Sequence, residues 1–133
     1  MIPIDDRFIA YTSVAVRHEG NHTVVAPRGR IFTDTIAPLQ DALMTLLDVD
    51  HPRIILDMSA VELCDSSGLN LIAGGHNTAA GKGGWLRVAG LQPFVRRVID
   101  ITNLDKLLSI HATVHDAARA DGAIPPGPPS GAT

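Results

Sequence analysis

The sequence predicts an α/β fold: a mixed β-sheet of about five strands with about four α-helices packed on it. Two observations lead there. Short runs rich in Val, Ile and Leu alternate with segments whose apolar residues recur at helical spacing, and Gly, Pro or Asn clusters separate them. The chain opens with a tight hairpin, so the order reads β-β-α-β-α-β-α-β-α and the sheet is mixed. A third observation sets the scale. With 133 residues, 45% hydrophobic and 19% charged, the chain has the composition of one globular domain. Aromatics are only 4%, so its core is aliphatic.

Each element has a local reason. Ser13 to Arg17 alternates around Val14 and Val16 and reads as a strand. Gly20-Asn21 is the turn, and Thr23 to Ala26 is the returning strand. Ile36, Leu39, Leu43, Leu46 and Leu47 share a helical face, and Pro38 confines that helix to a start near Thr35 to Ala37. Arg53-Ile54-Ile55-Leu56-Asp57 is an apolar run of central-strand type. A second helix is predicted from Ser66 to about Ala80, ended by Gly81-Lys82-Gly83-Gly84. Trp85 to Val88 follows as a strand. Leu91, Phe94, Val95, Val98 and Ile99 then form an apolar helical stripe with Pro93 in the first turn. Lys106 to Ile110 closes the sheet, and Val114 to Ala120 is the last helix.

Residues 1–121 are thus expected to form the domain. Residues 122–133 form a Pro/Gly-rich tail, with Pro125, Pro126, Pro128 and Pro129 forbidding helix or sheet ladder. The tail reads as a flexible linker, or more sharply as a ligand for a proline-recognition module.

Charge and segment lengths exclude several classes of function. Eleven Lys and Arg against 14 acids leave a net charge of −3, which disfavours direct nucleic-acid binding. Apolar stretches such as Ala42 to Leu47 are far shorter than the ~20 residues that cross a bilayer. Met1 to Arg7 lacks the basic start and apolar centre of a signal peptide. A lone cysteine, Cys64, fits a reducing compartment. Together these point to a cytoplasmic protein without membrane insertion.

The segment that carries chemistry is Leu63-Cys64-Asp65-Ser66-Ser67-Gly68-Leu69, at a strand-to-helix junction. An acid and two hydroxyls before an apolar helical pattern are N-cap chemistry, so Asp65 or Ser66 caps the second helix. Around this segment the chain resembles the STAS family, in particular the small bacterial anti-sigma factor antagonists. The resemblance rests on Ile55-Leu56-Asp57-Met58-Ser59, Asp65 to Leu69 and Gly83-Gly84. Pro93, Val95-Arg96-Arg97 and Ile99 to Leu104 follow in the family's order and spacing. These pieces cover roughly half of the chain.

The resemblance implies a partner switch. It makes Ser66 the phosphate acceptor and places Asp65, Ser67, Gly68, Leu69, Phe32 and Asp34 on the partner-binding surface. The implied partner is an anti-sigma factor, a serine kinase of the histidine-kinase-like ATPase type. Binding to it frees a sigma factor, phosphorylation ends the complex, and a phosphatase resets it. At the helix tip, free backbone N–H groups and the helix dipole are expected to receive the phosphate. Gly68 either keeps Ser66 accessible or packs against the sheet. The chain departs from the family in Gly29-Arg30-Ile31-Phe32-Thr33-Asp34-Thr35, where Arg30 replaces an expected glutamate and Phe32 an expected aspartate. That departure sustains a second reading: a STAS interaction module of a stress-signalling scaffold or a transport complex. A ligand or nucleotide sensor is a third.

Enzymatic readings have less behind them, and no catalytic residue, cofactor or metal is assigned. Ser66 lacks the Gly two positions before it that a nucleophile elbow requires, and His76 lies about three turns away along the helix. Ala79-Ala80-Gly81-Lys82-Gly83 fails as a phosphate loop: no Ser or Thr follows Lys82, and the segment ends a helix. His111 and His115 are spaced to share a helix face, but no third ligand is nearby. Arg96 and Arg97 are expected on the solvated side of their helix. Trp85 covers either an edge or a partner.

Overall fold

The computed structural model describes residues 12–120. The Pro/Gly tail and the N-terminal stretch lie outside the described residues. The first hairpin joins β1 (Thr12–Glu19) to β2 (His22–Ile31) through Gly20, whose φ is +59°. Helix α1 (Ala37–Leu47) follows, with Pro38 in its first turn and Leu39, Leu43 and Leu47 buried. Next come β3 (Arg53–Asp57) and β4 (Ala60–Cys64), then α2 (Ser66–Gly81) and β5 (Trp85–Ala89). The chain continues through α3 (Pro93–Ile101), a 3₁₀ turn (Leu104–Lys106), β6 (Ser109–His111) and α4 (Val114–Arg119).

The sheet runs β1-β2-β3-β5-β6, with β4 also paired to β2. Among the described residues only β1 and β2 are antiparallel; the other pairs are parallel, each reached by a crossover. Successive strand residues point to opposite faces, and this splits the core in two. Val25, Ile54, Leu56, Leu86 and Val88 pack with residues of α1, α2 and α3. Val24, Ile55 and Ala89 pack instead against Ala117 of α4. Covered on both sides, Ile54, Ile55 and Leu56 are at most 1% exposed. Burying such side chains contributes roughly 1.5–3 kcal/mol each, so β3 anchors the domain.

Four expectations need correction. The predicted order lacks one strand: among the described residues the sheet has six, because Met58-Ser59 separates β3 from a distinct β4. Strand β4 continues along the edge of β2 that β3 has left: β3 pairs with residues 23–25 and β4 with residues 28–31. Near the C-terminus, Leu104–Lys106 forms a 3₁₀ turn and the strand begins only at Ser109. Phe94 is 57% exposed, although the rest of its stripe is seated: Val95 and Ile99 are buried, and Leu91 and Val98 pack against the core. His111 lies on β6 and His115 on α4, so the two do not share a helix face.

Candidate functional site at the tip of α2

The site forms at the carboxyl ends of β2 and β4, the edge where open α/β sheets commonly bind ligands. The Asp65 N–H donates to the Ile31 carbonyl at 3.0 Å, extending the β2–β4 ladder by one bond. The backbone of Asp65 is extended, and its carboxylate caps α2. Oδ1 accepts from the N–H groups of Ser67 at 2.9 Å and Gly68 at 3.2 Å. Of the two residues proposed as cap, Asp65 therefore fills the role, a contribution of about 1 kcal/mol.

The other carboxylate oxygen reaches a different element. Oδ2 accepts the Thr33 N–H at 3.1 Å, and the Thr33 hydroxyl lies 3.5 Å from it. That hydroxyl is also 2.5 Å from the Ser67 hydroxyl. One side chain thus clasps the β2–α1 loop to the helix tip. Thr35 shapes this loop from within: its hydroxyl donates to the Arg30 carbonyl at 2.7 Å and accepts the Phe32 N–H at 2.8 Å. Thr33 and Thr35 were not singled out by sequence reasoning. The signal was a run of hydroxyl and acidic residues between a strand and a helix, typical of side-chain turns.

Ser66 is exposed, and its hydroxyl makes no hydrogen bond among the described residues. Asp65, Ser67 and Phe32 are half-buried, and Asp34 is exposed on the same loop as Phe32. Gly68 and Leu69 are buried. A Cβ on Gly68 would stand 2.4 Å from Cys64 Sγ and 2.8 Å from Ile31 Cγ2. Of the two readings of Gly68, packing is the one observed. Leu69 is 3% exposed, so its side chain belongs to the core. Two first-turn N–H groups, those of Ser67 and Gly68, are taken by the Asp65 carboxylate.

Charge around the tip is modest. Arg30 Nε lies 3.3 Å from Glu62 Oε1, with both side chains more than half exposed, so this pair adds little stability. Burial, reinforced by the Asp65 charge, pushes the Cys64 thiol up to about 12. A thiol in that state is inert at neutral pH. Arg96 and Arg97 are exposed, and Arg96 pairs with Asp100 at 3.0 Å. Trp85 is half-buried on the α4 side, where the Arg87 guanidinium stacks 3.6 Å from its ring centroid. Among the described residues no group of three or more metal-ligating side chains converges, and no helix is long and apolar enough to cross a membrane.

The STAS domain family profile matches residues 13–117, nearly the whole described chain. The chain belongs to the STAS domain family. An anti-sigma-F factor antagonist, RsfB, of Mycobacterium tuberculosis is 29% identical over 105 residues, covering 79% of this chain and 85% of that one. An anti-sigma F factor antagonist of Paenibacillus polymyxa is 34% identical over 79 residues, or 59% of this chain and 66% of its own. Among solved structures, an anti-sigma factor antagonist from Mycobacterium paratuberculosis superposes with a TM-score of 0.75 at 29% identity, covering 82% of this chain and 92% of that chain. Among the described residues, the six-stranded mixed sheet and four helices match the fold of these relatives.

Proposed function

We propose that this protein is an anti-sigma factor antagonist whose docking surface is the tip of α2 with the adjoining β2–α1 loop. Unphosphorylated, it binds an anti-sigma factor of the serine-kinase type and so frees a sigma factor. Phosphorylation of Ser66 ends the complex, and a phosphatase restores it. The protein acts by binding and is itself the kinase's substrate. The observation that carries this reading is the exposure of Ser66 with an unengaged hydroxyl, directly after a carboxylate that holds both the helix and the loop. The names of the relatives support the same role.

The physics of the switch follows from the crowded tip. A phosphate on Ser66 adds about −1.5 to −2 charges at neutral pH. Asp65 stands beside it, and the Ser67 and Gly68 amides are already occupied. In solvent those charges are hydrated and the fold tolerates them. Beneath a docked partner they are buried without a counter-ion, at a cost of several kcal/mol. Since about 1.4 kcal/mol is tenfold in affinity, binding weakens by roughly two to three orders of magnitude.

The test is incubation with candidate kinases of the host and ATP, followed by mass spectrometry. Label is expected on Ser66 and is lost in Ser66→Ala. Ser66→Asp is expected to lose the kinase partner while its melting temperature shifts by only a few degrees. Unfolding of Ser66→Asp would reduce the serine to a structural part of the cap.

A further inference from the structure

We infer that Thr33 determines which of the two adjacent serines is phosphorylated, withholding Ser67 and leaving Ser66. This rests on the phosphorylation proposed above and goes further, because a kinase docked at the tip meets two neighbouring hydroxyls in one helical turn. Their surroundings differ. Ser66 is exposed with its oxygen unengaged, whereas Ser67 is half-buried and its oxygen lies 2.5 Å from the Thr33 hydroxyl. Thr33 is not a loose neighbour. Its N–H donates to Asp65 Oδ2 at 3.1 Å, and its hydroxyl is 3.5 Å from the same oxygen. Asp65 is in turn held by the Ser67 and Gly68 amides, so the cluster closes on itself.

Phosphoryl transfer needs an open serine oxygen. That oxygen attacks the γ-phosphorus of ATP in line, the bond from phosphorus to the bridging oxygen of the leaving ADP breaks, and the hydroxyl proton passes to a base of the kinase. At Ser67 the Thr33 side chain occupies part of that approach, and the hydrogen bond must be given up first. Losing one such bond slows transfer by roughly tenfold. The sequence spacing is blind to this, since Thr33 and Ser67 are 34 positions apart.

The experiment compares wild type, Thr33→Ser and Thr33→Ala in the kinase reaction with ATP, with tandem mass spectrometry assigning phosphate to Ser66 or Ser67. Melting curves confirm that each variant is folded. Wild type and Thr33→Ser are expected to carry phosphate on Ser66. In Thr33→Ala the ratio of Ser67 to Ser66 phosphate is expected to rise about tenfold. A second readout needs no kinase: NMR of the Ser67 hydroxyl proton, expected to exchange slowly with water in wild type and fast in Thr33→Ala. Phosphate confined to Ser66 in Thr33→Ala, or equally fast hydroxyl exchange in both proteins, overturns the role of Thr33 and leaves the switch at Ser66 standing. Absence of label on either serine in every protein overturns the switch, and the role of Thr33 with it.

Discussion

The two ends of α2 are built for opposite purposes. At its start Ser66 faces solvent, and the Asp65 carboxylate supplies the hydrogen bonds. At its end the chain turns through Lys82, Gly83 and Gly84 into a packed corner with His51 and Pro52. The Lys82 ammonium donates to the Leu47 carbonyl at 2.7 Å, the His51 N–H to the Lys82 carbonyl at 3.1 Å, and the Trp85 N–H to the Pro52 carbonyl at 2.7 Å. Gly83 has a φ of +77°, a conformation most side chains avoid. Both ends carry motifs of the STAS resemblance. One motif maintains the fold, and the other leaves a serine hydroxyl exposed.

Substitutions at the two ends test this contrast. The largest effect is expected at Gly84. An added Cβ would stand 1.8 Å from the Pro52 carbonyl oxygen and 2.6 Å from the Pro52 nitrogen, both backbone atoms that cannot swing away. Gly84→Ala is expected to cost about 3 kcal/mol or more, read as a lower urea midpoint. An unchanged midpoint would mean that the corner is looser than described.

Gly68→Ala comes next, at about 1–3 kcal/mol, because its Cβ would strike Cys64 Sγ and Ile31 Cγ2. Adding Cys64→Ala removes the nearer obstacle, so part of that loss is expected to return in a double-mutant cycle. Additivity of the two changes would contradict the contact.

Cys64 also predicts a pH dependence. Its thiol ionises near 12 in the folded chain, against 9.0 without burial. As pH rises from 9 toward 12 the unfolded chain gives up the proton and the folded chain keeps it. This contribution to stability is therefore intact below pH 9 and declines above it. Denaturation midpoints of wild type and Cys64→Ala across that range isolate the effect. In native protein at pH 8, Ellman's reagent is expected to find the thiol unreactive until denaturant is added.

At the exposed end, Asp65→Ala is expected to cost about 1 kcal/mol for the cap. Amide hydrogen exchange should quicken at Ser67, Gly68 and also Thr33, whose N–H shares the same carboxylate. Protection retained at Thr33 would show that the loop holds itself in place. The smallest effect is expected for Ser66→Ala, within about 0.5 kcal/mol, since the hydroxyl supports nothing in the fold.

Local pattern made most of this architecture legible. The run Ile54-Ile55-Leu56, the helical spacing of Leu39, Leu43 and Leu47, the Gly20-Asn21 turn and a cap at Asp65 or Ser66 all depend on residues a few positions apart. Steric and hydrogen-bonding preferences act at that range whatever the rest of the chain does. The amino-acid order therefore determined by itself the α/β class, the start of α2 and the placing of Ser66 at its tip.

Tertiary structure decided what lies between elements. Strand β4 exists because its backbone groups find the part of β2 that β3 leaves vacant, a register invisible in five residues of mild alternation. Phe94 fits its helical stripe yet faces outward, while Val95 and Ile99 are buried and Leu91 and Val98 pack against the core. Gly68 acquired its packing role from Cys64 and Ile31, and Thr33 its clasp from Asp65, 32 positions away. Such contacts form only when parallel crossovers bring the ends of β2 and β4 together. Hydrogen bonds and close packing act over a few ångströms, so no spacing along the chain reveals them before the sheet has closed.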